Sequence, residues 1–240
     1  MTFDISSFTL HIIGMLLMLC DHLWATILPS YDILTWIGRA AFPFFAFLCA
    51  EGFIKTHDRK KYLKRMIVWA CISEIPFNYM MAASPIYPFH QNVLFSFSIS
   101  IACMIAMEKA KSSWLRYIVI PMLGCLGGLI CMCDYFAFGI AMTLSFYIFH
   151  GTDWKNRIFQ AVCMFMINAV WMKGMEVPID IFNHTFYLSQ QSMACLSLPV
   201  IWMYHGRQGP YNKAIRFLFY AFYPLHMIIL MILLFAGVSI

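Results

Sequence analysis

The segment LCDHLW sets a carboxylate and an imidazole side by side, as Asp21 and His22, inside the apolar run FTLHIIGMLLMLCDHLWATIL. Arg39, Glu74 and His226 stand in other apolar runs of the same chain. Ionisable groups in such runs are costly in lipid, so they mark places where charges pair or work. An acid, a base and a guanidinium in one apolar bundle suit two kinds of chemistry. One is a proton relay. The other is group transfer, in which a base takes a proton from a nucleophile while cationic or amide donors hold the developing oxyanion. His22 fits the base, because imidazole is neutral near neutral pH and exchanges its proton readily. Arg39, Asn78 and Asn92 fit the oxyanion, and Gln91 and Asp134 add polar contacts for a substrate.

These residues need helices to position them, and the composition supplies them. The 240 residues are 62% hydrophobic and 11% charged, against roughly a quarter charged in soluble domains. The expected fold is an all-α polytopic membrane protein, one domain over 1–240. Spanning the bilayer takes about 17–25 helical residues. Runs at 8–28, 33–54, 66–83, 92–108, 117–133, 134–150, 158–172, 191–205 and 217–238 give nine candidate spans, the seventh and eighth short. The loops at 55–65, 109–116, 155–157 and 207–216 carry Lys and Arg, while 29–32, 84–91 and 173–190 hold only Lys173. By the positive-inside rule this alternation puts the N-terminus inside and the C-terminus outside. No basic n-region or cleavage site marks the first run as a signal peptide, so it is expected to stay as a span. The net charge of +5 resides in those loops and does not point to nucleic acid. The nine cysteines read as small buried hydrophobes, although Cys131 and Cys133 leave a disulfide open. No metal or phosphate-loop motif is present, and no metal is expected.

At a rise of ~1.5 Å per residue, His22 and Arg39 both fall ~9 Å below the outer boundary, and Glu74 ~13 Å below it. Asn78 follows one turn outward, and Gln91, Asn92 and Asp134 open their spans from outside. Neighbours on a helix diverge by ~100°, so Asp21 is expected to pair with Arg39 while His22 faces a cavity, near Glu74. If Asp21 occupies Arg39, Asn78 and Asn92 become the better oxyanion donors. The Asp21–Arg39 pair is open to a purely structural reading. His226 could be a second base or a packing histidine. Asp134 could be a helix N-cap, and Glu51 reads as a surface pair with Lys55.

The segments DH at 21–22, IGRAAFPFFAFLCAEGFIKTHDRKKYLKRMIVWACISEIPFN at 37–78, QNVLFS at 91–96, DYFAFGIAM at 134–142, YHGRQG at 204–209 and FYAFYPLHM at 219–227 occur in an order that resembles the TraX family. The 173–190 stretch matches no part of that pattern. TraX proteins are bacterial inner-membrane proteins that N-acetylate the amino terminus of pilin, and they are distantly similar to larger membrane acyltransferases. The resemblance implies a multi-pass protein of the cytoplasmic membrane that takes acetyl-CoA as donor. The acceptor would be a protein N-terminus, a small amine or a hydroxyl, and a covalent acetyl-His22 or acetyl-Cys20 relay is left open. His22, Asp21, Arg39, Glu74 and His226 would form the catalytic set. Arg59, Lys60, Lys61, Arg65, Arg207 and Lys213 would meet the phosphates of CoA, although topology alone explains the same cations. The rival reading is a small proton-coupled transporter using the buried charges as a relay. Against it, the chain lacks the internal repeats and paired broken helices of many carriers.

Overall fold

The computed structural model describes residues 4–172, 174–181 and 184–237. Lys173 and the last position of the ninth expected span, 238, lie outside them. Helices dominate. α1 is Ser7–Thr26, α2 Ile33–Gly38, α3 Ala41–Lys55, α4 Arg59–Ala82 and α5 Val93–Lys109. A π-helical turn, Leu115–Val119, runs into α6, Ile120–Ile130, and α7 is Phe136–Ile148. α8, Trp154–Phe165, ends in a second π turn, Met166–Trp171. A 3-10 stretch, Gln190–Leu196, leads into α9, Ser197–Ile201, and α10 is Lys213–Phe235. Helical structure thus falls on each expected span. Three described segments are long and apolar enough to cross a membrane: Ser7–Thr26, Ile33–Lys55 and Lys213–Phe235.

Local chemistry sets many of the ends. Ser6, Asp58, Asn92, Asp153 and Asn212 each cap a helix N-terminus, accepting a first-turn backbone N–H, the role for which short polar side chains are favoured. Pro29 follows α1 closely and cannot continue it. α1 buries only Leu10 and Gly14, so most of its apolar surface is left for lipid.

Between Glu176 and Ser189 the chain departs from the expected loop. It forms an antiparallel hairpin, β1 Glu176–Ile181 and β2 His184–Ser189, with Glu176 opposite Ser189 and Ile181 opposite His184. Stretches rich in Val, Ile, Thr, Phe and Tyr favour strand, and the hairpin satisfies the backbone where no span is needed. Outside this hairpin every described element is helical, as expected of the class.

The described residues gather into two compact units, 4–45 with 151–209, and 46–150 with 210–237. In the first, α1 packs on α2, and α2, α8 and α9 pack on the 3-10 stretch. The YHGRQG segment joins the start of the chain there. Ile5 bridges Tyr204, Ser7 N donates to Arg207 O at 2.9 Å and Phe8 N to Gln208 O at 3.1 Å. In the second, α4 packs on α5 and α10, and α5, α6 and α7 pack on one another. Trp69 of α4 stacks on Tyr220 and meets Phe217 edge-on. Gly128 of α6 lies so close to α7 that a Cβ there would stand 2.7 Å from Phe136 O. Small residues allow this kind of helix approach in membranes.

Candidate functional site

The first polar centre lies where α1 crosses α2. Gly38 is pressed against Asp21: a Cβ at 38 would meet Asp21 Cβ at 2.5 Å and Cα at 2.9 Å. This backbone approach delivers the Asp21 carboxylate to Arg39, which sits at the turn between α2 and α3. Arg39 Nη2 donates to Asp21 Oδ1 at 2.6 Å, with the two side chains 24% and 20% exposed. The hub is Thr35, fully buried. Its hydroxyl donates to Asp21 Oδ1 at 2.7 Å. It accepts from Arg39 Nη2 at 2.9 Å and Nε at 3.2 Å, and from Gln190 Nε2 at 3.0 Å. An ion pair with so many supporting donors offsets much of its desolvation. His22 is half-buried beside it, and its carbonyl accepts from Thr26 Oγ1 at 2.6 Å.

The second centre gathers around the end of α4, the start of α5 and the 131–136 turn. Asn92 caps α5 through Leu94 N at 3.0 Å, and its amide donates to Ala70 O at 2.9 Å and to Glu74 Oε2. The Asn92 backbone N–H also reaches Glu74 Oε2, at 3.3 Å. Gln91 N donates to Met132 O at 2.9 Å and Asp134 N to Gln91 O at 2.8 Å, which pins the two turns together. That bridge brings His90 to Asp134, Nε2 to Oδ1 at 3.3 Å. The His90 ring lies parallel to Phe136 and edge-on to Phe77. Its hydrogen bond to Asp134 raises the imidazole pKa; burial of the ring opposes this, and the charges of Asp134 and Glu74 add to it.

Ser96 Oγ donates to Asp134 O at 2.7 Å. Tyr223 of α10 is buried and lies within electrostatic range of Asp134 and Glu74. Asn78, one turn along α4 from Glu74, donates to Pro85 O at 3.3 Å, and its buried Oδ1 has no partner among the described residues. Met132, Tyr135 and Phe136 all have left-handed backbones, φ 50°, 61° and 46°. Such strain costs ~1–3 kcal/mol per residue and tends to be kept at working sites.

Several expectations need correction or refinement. Asp134 does not cap α7: Tyr135 occupies that position with a left-handed backbone, and Asp134 Oδ1 accepts from Tyr135 N at 3.1 Å. Glu51 does pair with Lys55, at 3.0 Å, but it is no surface group. Its carboxylate is 7% exposed and also meets His150 Nε2 at 2.8 Å. All nine cysteines are free, Cys131 and Cys133 included. His226 is buried, its Nδ1 donating to Phe222 O at 2.7 Å and its ring stacked on Phe222.

The expected CoA-binding cations stand in varied surroundings. Arg65 lies between the rings of Tyr62 and Tyr220 and donates to Tyr220 Oη at 3.2 Å. Arg207 holds Asp4, with Nη2 to the backbone O at 2.6 Å and Nε to Oδ2 at 3.3 Å. Lys61 pairs with Asp58 at 3.2 Å, and Lys213 opens α10, exposed. Arg59 and Lys60 line an open cleft of about 320 Å³ with His57, Asp58, Glu108 and Lys109. Arg59 there pairs with Glu108 at 3.3 Å and covers the Phe53 ring. Among the described residues no group of three His, Cys, Asp or Glu side chains could hold a metal ion.

Thr35, Gly38, Gln190 and His90 were not singled out by sequence. Thr35 carried a usable signal, lying four residues before Arg39 and so on its helix face. The others show their roles only through contacts distant in sequence.

The sequence profile described as "TraX protein" matches residues 6–234. The chain is 25% identical to the "Probable fimbrial assembly protein FimC, serogroup H1" of Dichelobacter nodosus, over 95% of each chain. No solved structure matches it. With nearly all of its length inside that profile, including both polar centres and eight of the nine expected spans in full, the chain belongs to the TraX family.

Proposed function

We propose that this membrane protein is an acetyl-CoA-dependent acetyltransferase of the bacterial cytoplasmic membrane. It would be a single catalytic domain crossing nine times, N-terminus inside and C-terminus outside. The acceptor is an amine or a hydroxyl, and the fimbrial-assembly name of the relative favours the amino terminus of a pilin-like subunit. The observation that carries this reading is the Asp21–Arg39–Thr35 network set beside His22 in an apolar helix, within a chain of this family.

In the proposed step the acceptor's lone pair attacks the acetyl carbonyl carbon of the thioester. A new bond to that carbon forms and the carbon–sulfur bond breaks, its electron pair leaving with the CoA thiolate. His22 takes the proton lost by the acceptor and passes it to that thiolate. Asp21 and Thr35 hold the Arg39 guanidinium in place, so a positive field is fixed before charge develops on the carbonyl oxygen. Asn78, Gln91, Asn92, Asp134 and Glu74 belong to the second polar centre and would meet a polar substrate group there. Donor phosphates would be drawn to the cleft bearing Arg59, Lys60 and Lys109, with Lys61, Arg65 and Lys213 adding to the positive field of the same unit.

The test is turnover of radiolabelled acetyl-CoA by the purified full chain in nanodiscs, with a peptide bearing a free amino terminus. Transfer of one acetyl group to the peptide is expected. His22→Ala should slow it by ~10²–10⁴-fold without lowering the unfolding temperature. Near-normal turnover in that variant would remove His22 from the mechanism, and no transfer by the unaltered protein would remove the activity.

A further inference from the structure

We propose that His90, Asp134 and Glu74 form a second proton-accepting centre, which binds a primary ammonium group and removes its proton before acetyl transfer. This rests on the acetyltransferase reading for its purpose, and on its own geometry for its existence.

An ammonium group brings three N–H donors and one positive charge. The centre holds matching acceptors that the described residues leave unfilled. Glu74 engages Asn92 through Oε2 alone, and its Oε1 has no partner among the described residues. Asp134 engages His90 and Tyr135 N through Oδ1 alone, and its Oδ2 is likewise without a partner among them. Asn78, only 4% exposed, carries a buried Oδ1 in the same condition. Burying a carbonyl without a donor is costly, so an amide kept this way fits one awaiting a donor from a ligand. Glu74 and Asn78 are four apart on α4 and share a face. Asn78 also donates to Pro85 in the segment that carries His90.

His90 supplies the base. Asp134 accepts from its Nε2, which fixes the hydrogen there and leaves the Nδ1 lone pair to take a proton. Nδ1 has no partner among the described residues, and the side chain is 25% exposed. Phe77 and Phe136 hold the ring on edge and face. The strained turn at 132–136 and the Gln91–Cys133 bridge set Asp134 under it. In the step, an ammonium N–H bond breaks and its electron pair stays on the amine nitrogen. The proton forms a new bond to His90 Nδ1, and the imidazolium rests on Asp134 until it releases the proton to water. The facing ionisable groups are Glu74 of α4, Asp134 of the turn and Tyr223 of α10. The Asp134 oxygen bonded to Nε2 holds the imidazolium once it forms.

The probes are trialanine amide, its N-acetylated form, n-propylamine and n-propanol, titrated by calorimetry into the full chain in nanodiscs without acetyl-CoA. The unaltered protein should bind trialanine amide at least 10-fold more tightly than its acetylated form. Glu74→Gln and Asp134→Asn should each bring that ratio close to one while the unfolding temperature stays within a few degrees. His90→Gln should keep the ratio but abolish proton release to the buffer, read as the dependence of binding heat on buffer ionisation. Preference for n-propylamine over n-propanol, without a comparable preference for the peptide, would assign the site to small amines. Equal affinity for the charged and neutral probes, or a ratio unchanged in both carboxylate variants, overturns the proposal. If ammonium discrimination is present but acetyl-CoA is never turned over, the ammonium site stands and the acetyltransferase reading fails.

Discussion

Thr35→Val isolates the hub of the first centre. The substitution keeps side-chain shape and removes one hydroxyl that makes four hydrogen bonds, with Asp21, Arg39 twice and Gln190. The losses are unequal. Arg39 retains Asp21 at 2.6 Å, so its two bonds to the hydroxyl cost little. Asp21 loses a donor at 2.7 Å, and Gln190, only 5% exposed, loses the acceptor of its amide. A buried donor left unsatisfied costs ~1–3 kcal/mol, but hydrogen bonds between membrane helices average only ~0.6 and reach ~1.7 kcal/mol. The membrane figure governs, and the two losses together come to roughly 1–3 kcal/mol. For a chain of this size that lowers the unfolding temperature by roughly 2–12 °C. Thr35→Ser keeps the hydroxyl and loses one methyl, ~0.8 kcal/mol. Unfolding of the three proteins in one detergent, followed by tryptophan fluorescence or dye binding to the emerging cysteines, gives the comparison. If Thr35→Val is no less stable than Thr35→Ser, the hydroxyl does not organise the pair.

Gly38→Ala should destabilise by ~1–3 kcal/mol, as overpacking does, because the new Cβ would stand 2.5 Å from Asp21 Cβ. Gly38→Ala unfolding at the same temperature as the unaltered protein would contradict the close crossing. Lys60→Ala should raise KM for acetyl-CoA several-fold at constant kcat, and less so at high salt. An unchanged KM at low salt would leave the cleft without a donor role. The folded-state pKa of His90 is raised, by its Asp134 bond before all else. Its stabilising contribution is therefore complete below about pH 6.5, the unfolded value, and is lost as pH rises through the folded value. The stability gap between the unaltered protein and His90→Gln should narrow from pH 6 to pH 9, and Asp134→Asn should flatten that dependence. A gap that widens with pH would mean the sign, and with it the pairing, is wrong.

The family and the membrane class were legible in the sequence because both rest on order and composition. A greasy run interrupted by Asp21 and His22 announces itself, since lipid penalises every such group. Two consecutive helices joined by a short loop bring Asp21 and Arg39 to one level by helical rise alone. Glu51 was misjudged for a related reason: an i,i+4 pair is visible in sequence, but its depth in the protein is not. Thr35 and Gln190 were silent, because a hydroxyl and an amide mark nothing until a fold brings them together across 155 residues. Gly38 gave no sign that α1 would lie on its backbone. His90 sits in a proline-rich connection, and Asp134 lies 44 residues further on. Their meeting depends on a bridge between Gln91 and Cys133 and on left-handed backbones at Met132, Tyr135 and Phe136. Helical periodicity contains none of this. Sequence fixes which groups must leave lipid, through the energy of each residue taken singly. Tertiary structure decides which of those groups meet, because that depends on close approach between backbones far apart along the chain.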